Sequence, residues 1–504
     1  MTDAGRHVSA RLPAGVYLAG ALLVVLLMIF AGRYGFHRDE YYFIEGGHHL
    51  AWAQPDNPEL IPLLAAGWHW LVGGNLWGFR ILPALAVGVF SVIGGLSARE
   101  LGGEPKHQVA AAIATALTGI ASGTGHLFST TTFDMTVTAA AVWLLIRAVR
   151  DGRWVSWLAL GITAGIASEI KIIIFAVIGT ALLGLLIMGP RQVFRGPKLW
   201  VAALITVVLA APNLIWQSVH GWPQRQIADN IAAGGSTSSS SRLGLLPNIL
   251  LTTGPVICVV MIIGVVWLLR GTRRREVGWL SVGFLLLVIL DVIGGGKAYY
   301  PAGYLPAMMA AGAIPLLDWT LRRTWRRVLV ITLAALSAVA TTLLTMPVAP
   351  IGSTLFKVGV AVNPDSAETV GWNGYIHTIA DVASGLPAAE RARTVIITGN
   401  YGEAGALARA RRMHTPDGLR LPPVYSGHNA FWYWGPPPSD ATNVILVGYF
   451  EPSQPTSWFD RCRQVTTLVS PAGVDNQEAG APVRICSGPR QPWPRLWPRM
   501  AELG

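Results

Sequence analysis

Apolar runs close to the length of a membrane-spanning helix recur through the first two thirds of this chain, and they limit what it can fold into. A helix needs about 20 consecutive apolar residues to cross the hydrocarbon core of a bilayer. Segments that come near that length are residues 14–31, 79–98, 108–123, 135–149, 155–170, 172–189, 199–217, 247–269, 277–293, 302–318 and 328–346. Hydrophobic residues make up 52% of the 504 residues and charged residues only 13%, which is atypical of a soluble enzyme. The sequence predicts a polytopic α-helical membrane protein with about eleven transmembrane helices.

Basic residues cluster in every second connection between these segments. Because Lys and Arg are held on the cytoplasmic side of a membrane, we expect a cytoplasmic N-terminus and inside loops at Arg274 and Arg326. The first apolar run lacks a small-residue cleavage site and leads into a charged stretch, so we expect a retained helix rather than a cleaved signal peptide. The net charge of +11 then reflects topology and requires no nucleic-acid partner.

The composition changes at about residue 350, where the long apolar runs stop. The stretches RTVIITGN (393–400) and ATNVILVGYF (441–450) are typical of buried strands, and EAGALARARRM between them suits a helix. We therefore predict a transmembrane domain over 1–349, with an outside loop over 32–78, and a soluble extracytoplasmic α/β domain over 350–504. The segment TGNYGEAGALA lies at a strand-to-helix turn, but its glycine spacing favours a tight turn over a phosphate cradle.

Three further features belong to outside segments. Cys462 and Cys486 both follow residue 350, where an oxidising compartment would let them pair. The segment YSGHNAFWYWGPPP (425–438) contains Trp432 and Trp434, which suit stacking on sugars, a membrane interface or packing within the domain. The tract GGSTSSSS (234–241) is too polar to bury much and is expected to be mobile.

Ionisable side chains gather in four outside connections. The richest is FHRDEYYFIEGGHHLAWAQPDNPELIPLLA (36–65), which predicts two surface helices. The first is expected over DEYYFIEGGHHLAW, and the second is expected to be capped by Asp56 or Asn57. The other connections are GHLFSTTTFDMT with Asp134, ASEIKIII with Glu169 and Lys171, and GGGKAYYPAGYLP with Lys297, Tyr299 and Tyr300. Taken singly, each charge fits a structural ion pair as well as a functional role. As a set they indicate a functional site, because charges at membrane depth are costly.

The chemistry that suits these residue types is transfer of a sugar from a lipid phosphate. A carboxylate at the water-facing edge can take a proton from an acceptor hydroxyl as that hydroxyl attacks a sugar carbon. A lysine and tyrosines nearby can hold the phosphate that leaves.

The same motifs resemble a known family. An Asp-Glu pair directly after the first apolar run, followed by YYFIEGGHHLAW and DNPELIPLLA, resembles the polyprenyl-phosphate-dependent glycosyltransferases of the GT-C fold. The most similar group is glycosyltransferase family 39, which includes the protein O-mannosyltransferases and the aminoarabinose transferases of lipid A. STTTFD, PNLIWQSVHGWP and GKAYYPAGYLPAMMAAGA also look like bacterial members, and GNYGEAGAL with PPVYSGHNAFWYWGPPP resembles an outside domain of actinobacterial relatives.

The resemblance implies a role for individual residues. Asp39 matches the candidate catalytic base, Glu40 is its neighbour in the pair, and Asp134 matches a second acidic position. The residues expected to contact the donor phosphate are Lys297, Tyr299, Tyr300 and, as a looser match, Lys171. Apart from the resemblance, we expect acceptor or sugar contacts at His48, His49, Trp432 and Trp434. Some relatives hold a divalent metal near the acidic pair, but His48 and His49 are adjacent and would face different directions on a helix.

The function implied is inverting transfer of a sugar from a polyprenyl-monophosphate donor to an acceptor at the outer face of the cytoplasmic membrane. The acceptor would be a cell-envelope glycan, a glycolipid or a protein. The sequence indicates no cofactor and leaves a divalent metal open. A transporter or flippase of lipid-linked sugars is the alternative, which would favour broken helices in paired halves. No paired halves are apparent in the sequence. A sugar-binding scaffold would rest on the Trp432 region alone.

Overall fold

The computed structural model describes residues 11–234, 241–271, 274–471 and 474–504. Most of the GGSTSSSS tract lies outside the described residues. The chain divides into two compact units. Unit 1 comprises the described residues of Met1–Phe30, Arg80–Pro212 and Ser238–Thr342, and unit 2 comprises those of Ala31–Phe79, Asn213–Thr237 and Leu343–Gly504. The sequence groups 32–78 with the transmembrane domain, whereas the structure groups this segment with the C-terminal residues.

Helices dominate the structure. Those of the first 345 residues are α1 (Ala14–Phe30), α2 (Arg38–Gly46), α3 (Leu60–Leu71), α4 (Leu76–Phe79), α5 (Ile81–Glu100), α6 (Pro105–Ala116), α7 (Gly119–Gly125), α8 (Thr130–Asp151), α9 (Trp154–Ser168), α10 (Ile174–Met188), α11 (Pro197–Val219), α12 (Pro223–Ala232), α13 (Leu245–Thr253), α14 (Cys258–Arg270), α15 (Arg274–Val277), α16 (Trp279–Gly294), α17 (Leu305–Thr320) and α18 (Thr324–Thr345). Those that follow are α19 (Thr354–Val362), α20 (Trp372–Ser384), α21 (Ala388–Arg391), α22 (Tyr401–Arg412), α23 (Ala430–Tyr433), α24 (Gln454–Trp458) and α25 (Trp493–Leu496).

Several of these helices match the predicted membrane spans. Within the described residues, four are long and apolar enough to cross a membrane: Leu76–Glu100, Thr130–Asp151, Pro197–Val219 and Thr324–Thr345. Helices α13 and α14 pass the same test only as a pair, and they are bent by 107° at the break between them. The break contains Gly254, whose φ is +116°, and Pro255, which has no N–H to donate. Helices α1, α3, α9, α10 and α16 are apolar but shorter, so the number of spans stays a prediction.

Unit 2 contains a five-stranded sheet. Its strands are β1 (Thr394–Thr398), β2 (Val424–Ser426), β3 (Asn443–Val447), β4 (Phe459–Thr467) and β5 (Pro482–Pro489), in the order β2-β1-β3-β5-β4. Strands β2, β1 and β3 are parallel, and β5 and β4 continue the sheet antiparallel. Every residue of β1 is buried, as the continuous apolar run predicts. The two strands expected from the sequence are thus the central parallel pair.

The disulfide and the aromatic segment belong to this sheet domain. Cys462 of β4 and Cys486 of β5 are paired directly opposite each other and are joined by a disulfide bond. Trp432 packs against the core and donates its indole N–H to the carbonyl oxygen of Trp497, 3.0 Å away. Trp432 thus packs within the domain, which is one of the three roles that the sequence left open.

Helices α2 and α22 of unit 2 pack unusually close together, because two glycines of α22 face α2. A Cβ atom at Gly402 would lie 2.6 Å from Cβ of Arg38, and one at Gly405 would lie 2.9 Å from the carbonyl carbon of Tyr41. The first turn of α22 is capped by Asn400, whose side chain accepts from the N–H of Glu403. Gly402 and Gly405 of TGNYGEAGALA therefore serve helix packing, and a phosphate cradle is not needed to explain them.

The close approach can be tested with one substitution at two sites. We expect Gly405→Ala to destabilise unit 2 by about 1–3 kcal/mol, since the added methyl group has no room against α2. Gly374→Ala is the matched control in α20, because its Cβ would meet nothing within 4 Å and alanine favours a helix by up to about 1 kcal/mol. Thermal unfolding of the detergent-solubilised chain measures both. Equal midpoints for the two variants would contradict the packing argument.

Candidate active site in the Asp39 loop

The acidic pair lies in the first turn of α2, where the two side chains have different environments. Glu40 is fully buried, and its Oε2 accepts from the N–H of His37 at 2.8 Å. His37 completes the capping box, since its Nδ1 accepts from the N–H of Asp39 at 3.1 Å. Glu40 thus has a structural role at the helix start. Asp39 keeps 32% of its side chain exposed, so it is the carboxylate that an acceptor could reach.

Tyr401 of α22 fixes the orientation of Asp39. Its hydroxyl donates to Oδ1 of Asp39 at 2.8 Å. Burial raises the pKa of the Tyr401 phenol well above its usual value, so the hydroxyl stays protonated and remains a donor. The guanidinium of Arg38 lies 4.6 Å from the centre of the Tyr401 ring, in the range of a cation–π contact. Nothing in the sequence linked Tyr401 to Asp39, because 362 residues separate them.

A second carboxylate, Asp56, has the same kind of partner. The hydroxyl of Tyr42 donates to Oδ1 of Asp56 at 2.7 Å, and the Tyr42 and Tyr401 rings lie 4.5 Å apart. Burial raises the pKa of Asp56 to about 6, although hydrogen bonds from Tyr42 and Asn57 oppose this. The prediction that Asp56 or Asn57 caps the second helix is wrong. Helix α3 begins at Leu60, and the Asp56 oxygen is used by Tyr42 instead.

The C-terminal end of α2 forms an ion pair with the end of α22. Glu45 is nearly buried, and its two oxygens accept from Nη2 and Nε of Arg412 at 2.6 and 3.4 Å. Burial alone would raise the pKa of Glu45, but His49 and Arg412 lower it below its usual value. His48 and His49 lie in a turn after α2, which ends at Gly46. The expectation of a longer helix there is wrong, because two consecutive glycines, Gly46 and Gly47, end it.

A buried group of acids surrounds Arg38. Burial, reinforced by Glu478, raises the pKa of Glu403 to about 8. Burial, reinforced by Glu368, raises the pKa of Glu478 to about 7. Arg38 opposes both shifts and also donates to Oε1 of Gln477. One guanidinium thus interacts with several buried carboxyl groups next to Asp39. The sequence gives no indication of this group, because its members are scattered over three segments.

Unit 1 brings together the residues assigned to the donor phosphate. The ammonium of Lys171 lies 4.7 and 5.4 Å from the ring centres of Tyr299 and Tyr300. Lys297 lies 5.9 Å from the same Tyr299 ring, and Lys171 also interacts electrostatically with Asp134. Lys171, the looser match in the sequence, is therefore central to this cluster. The lysine pairs electrostatically with Asp134 rather than with Glu169.

One acid in unit 1 was missed. Asp291 is buried in α16 and interacts electrostatically with Tyr300. Its signal was present in the sequence, because a single carboxylate interrupts the apolar run LLLVILDVIGG and such residues are functional candidates by default.

The sequence left a divalent metal near the acidic pair open. Among the residues that the structure describes, no group of three or more His, Cys, Asp or Glu side chains is arranged to hold a metal ion. No role is therefore derived for a metal here.

Comparisons with known proteins identify a family match, a sequence relative and solved structures of similar fold. Residues 56–216 match the family described as dolichyl-phosphate-mannose-protein mannosyltransferase. A curated relative, undecaprenyl phosphate-alpha-4-amino-4-deoxy-L-arabinose arabinosyl transferase 1 of Pseudomonas fluorescens, is 27% identical over 152 residues. That match covers 29% of this chain and 23% of the relative's length.

Solved structures extend the similarity to nearly the whole fold. ArnT from Cupriavidus metallidurans in the apo state has a TM-score of 0.57 at 14% identity, over 94% of this chain and 98% of that chain. The same protein bound to undecaprenyl phosphate has a TM-score of 0.55 over the same shares. The Archaeoglobus fulgidus oligosaccharyltransferase tethered with an acceptor peptide has a TM-score of 0.51, over 81% of this chain and 63% of that chain. The chain thus has the helical fold of these proteins, and the family resemblance is confirmed.

The buried acids predict a pH-dependent stability. A carboxyl group whose pKa rises from 4.5 to about 8 on folding contributes stability that is fully present below 4.5 and is lost as the pH rises through 8. Glu403→Gln keeps an oxygen for the capping hydrogen bonds but cannot ionise. We therefore expect the variant to match the wild type at pH 4.5 and to unfold at a higher temperature at pH 9.

Thermal unfolding at the two pH values measures this difference. Glu451→Gln, at an exposed position, is the control and should follow the wild type at both. A variant that is less stable than the wild type at pH 9 would show that folding favours the ionised form of Glu403, and hence that burial does not raise the pKa of this carboxyl group.

Proposed function

We propose that this protein is a membrane glycosyltransferase that transfers a sugar from a polyprenyl-phosphate donor to an acceptor hydroxyl. The observation that carries the proposal is Asp39, a partly exposed carboxylate held by the Tyr401 hydroxyl at 2.8 Å. The fold shared with ArnT supports it. So does the name of the Pseudomonas relative, which is a sugar transferase with an undecaprenyl-phosphate donor.

In this proposal Asp39 acts on the acceptor as general base or orienting group. A base must be oriented and accessible before its pKa matters. Oδ1 of Asp39 is occupied by Tyr401, and the side chain remains partly open to solvent, so a proton can pass to the carboxylate from an acceptor hydroxyl. Displacement by this hydroxyl from the face opposite the phosphate inverts the sugar carbon. Asp56 is a second acid in the same unit, and Asp134 would support the donor-binding residues of unit 1.

The donor phosphate is assigned to unit 1. Lys171 and Lys297 share contact with the ring of Tyr299. Two ammonium groups there would neutralise a phosphate and stabilise it as it leaves. A bound structure of the similar ArnT contains undecaprenyl phosphate, which supports a lipid-phosphate donor. The acceptor in this proposal is a cell-envelope glycan, a glycolipid or a protein.

A transporter or flippase of lipid-linked sugars is less well supported. Helices α13 and α14 are broken by a 107° bend, as such proteins often require. The proteins similar to this chain are transferases by name.

The direct test is release of free polyprenyl phosphate from polyprenyl-phosphate sugars by the purified protein. Asp39→Asn keeps the side-chain shape but removes the base, so turnover should fall by roughly 10²- to 10⁴-fold. Tyr401→Phe should reduce turnover less, because it removes only the hydrogen bond that orients the carboxylate. Near-normal turnover in a folded Asp39→Asn variant would move the base assignment to Asp56.

Lys297→Ala gives the contrasting result. It should raise the KM for the donor more than it lowers kcat, since it removes a charge-assisted contact of roughly 1.5–3 kcal/mol. Lys357→Ala is the control, because Lys357 is an exposed lysine of α19. If neither Asp39→Asn nor Lys297→Ala changed transfer, the assignment of the catalytic and donor-binding residues would be lost, whereas absence of transfer by the wild type would overturn the proposed function.

The proposed orientation places the N-terminus in the cytoplasm and the sheet domain outside. A cysteine at Ser439, an exposed residue of the sheet domain, should react in intact cells with a membrane-impermeant thiol reagent. A cysteine at Arg322, an exposed residue between α17 and α18, should react only after the cells are opened. Cys258 is buried and the other two cysteines are paired, so the background is low. The reverse pattern would overturn the orientation.

A further inference from the structure

Unit 2 contains an open cleft next to the end of α2. Its volume is about 720 Å³, within the range of small-molecule binding sites. It is bounded by the last turns of α2 and α22, by the residues that lead into β2 and the start of that strand, and by α23 with the residues that follow it. None of the proposed catalytic or donor-binding residues lines it.

Positive charge predominates in the cleft. Its lining includes Arg411, Arg412 and His414, whereas Glu45 is the acidic residue of the lining. The Nε of Arg411 donates to the carbonyl oxygen of Leu421 at 3.0 Å, which fixes the plane of the guanidinium. That bond uses one of its five N–H donors. A fixed guanidinium is suited to a carboxylate or phosphate group, because the planar donors match two oxygens at once.

Flat ring surfaces line the same cleft. The imidazole of His49 lies parallel to the indole of Trp434, with ring centres 4.2 Å apart and planes 9° apart. His49 is exposed, and the half-buried Tyr425 contributes a second ring. The C–H face of a sugar packs on such rings, while its hydroxyl groups remain free for hydrogen bonds. Fixed cations beside flat rings therefore favour an acidic sugar over a bare anion.

The cleft is also near the proposed base along the helix. Asp39 and Glu45 lie six residues apart in α2, which is about 9 Å along the helix axis. A saccharide chain in the cleft would therefore lie within a few sugar units of the Asp39 carboxylate.

We infer that this cleft binds an acidic saccharide, whose carboxylate or phosphate group is held by Arg411 while a neighbouring ring packs on His49 or Tyr425. The further identification of this saccharide as part of the acceptor rests on the proposed transferase function. Arg412 is already paired with Glu45 at 2.6 Å, so Arg411 is the principal anion-binding residue.

The test is direct binding to the purified full-length chain in detergent, without donor, by isothermal titration calorimetry. The probes are trigalacturonate, the neutral trisaccharide maltotriose and inorganic phosphate. We expect trigalacturonate to bind most tightly. Arg411→Gln should weaken it about tenfold or more, and Arg411→Lys, which keeps the charge but loses the planar donors, should weaken it less. Arg391→Gln, at an exposed position outside the cleft, should change nothing.

Three results would overturn the inference: equal affinity for maltotriose, equal affinity for phosphate, or unchanged binding in Arg411→Gln. Thermal unfolding checks that each variant is folded. If Arg411→Gln is not folded, the binding of trigalacturonate by Arg411→Lys tests the inference instead, and unchanged binding would overturn it. Because no donor is present, this assay does not depend on transferase activity. Loss of transfer in Asp39→Asn with intact trigalacturonate binding would separate the catalytic base from the saccharide site.

Discussion

The close packing of α2 on α22 is the interaction on which the candidate site depends. Contacts follow one stripe on each helix: Arg38 meets Gly402, Tyr41 meets Gly405, and Glu45 meets Arg412. Residues spaced by three and four positions face the same side of a helix, so these pairs align the two helices in parallel. Without this alignment Asp39 would lose its hydrogen bond from Tyr401, and Glu45 would lose its ion pair with Arg412.

This arrangement buries a set of carboxyl groups in an apolar environment. Glu403 and Glu478 have raised pKa values because burial disfavours their charged forms, and Arg38 offsets this only in part. Asp39 differs because its side chain is partly exposed. The start of α2 is thus held rigidly by buried groups, and one carboxylate there remains accessible. This arrangement suits a group that must hold its orientation while it exchanges a proton.

The proposed base and the lysines proposed to hold the donor phosphate belong to different units. Unit 2 contains Asp39 and Asp56, whereas unit 1 contains the lysines near Tyr299. This division fits the proposed chemistry, since a carboxylate would repel the donor phosphate and a lysine would lower the basicity of a carboxylate. The cleft at Arg411 adds a third kind of environment, with fixed cations beside aromatic rings, and this suits recognition of an acidic acceptor rather than catalysis.

The sequence by itself determined the features that depend on local composition. Apolar runs predicted the membrane helices, the runs at 393–400 and 441–450 predicted the central strands, and family motifs singled out Asp39 and Lys297. The same local patterns misplaced two helix ends, since they extended α2 past Gly46 and began α3 too early. The side chain of a turn or cap residue can form hydrogen bonds with several partners, and the partner that is nearest in sequence is not always the one that it binds.

Only the tertiary structure decided which distant residues meet. The Tyr401 hydroxyl bonds Asp39 across 362 positions, and the glycines that allow it look like an ordinary turn in the sequence. Lys171 became central through the rings of Tyr299 and Tyr300. Hydrogen bonds and packing act over a few ångströms in space, whereas sequence patterns record only neighbours along the chain. The membrane class was therefore readable from the sequence, but the environment of the proposed base was not.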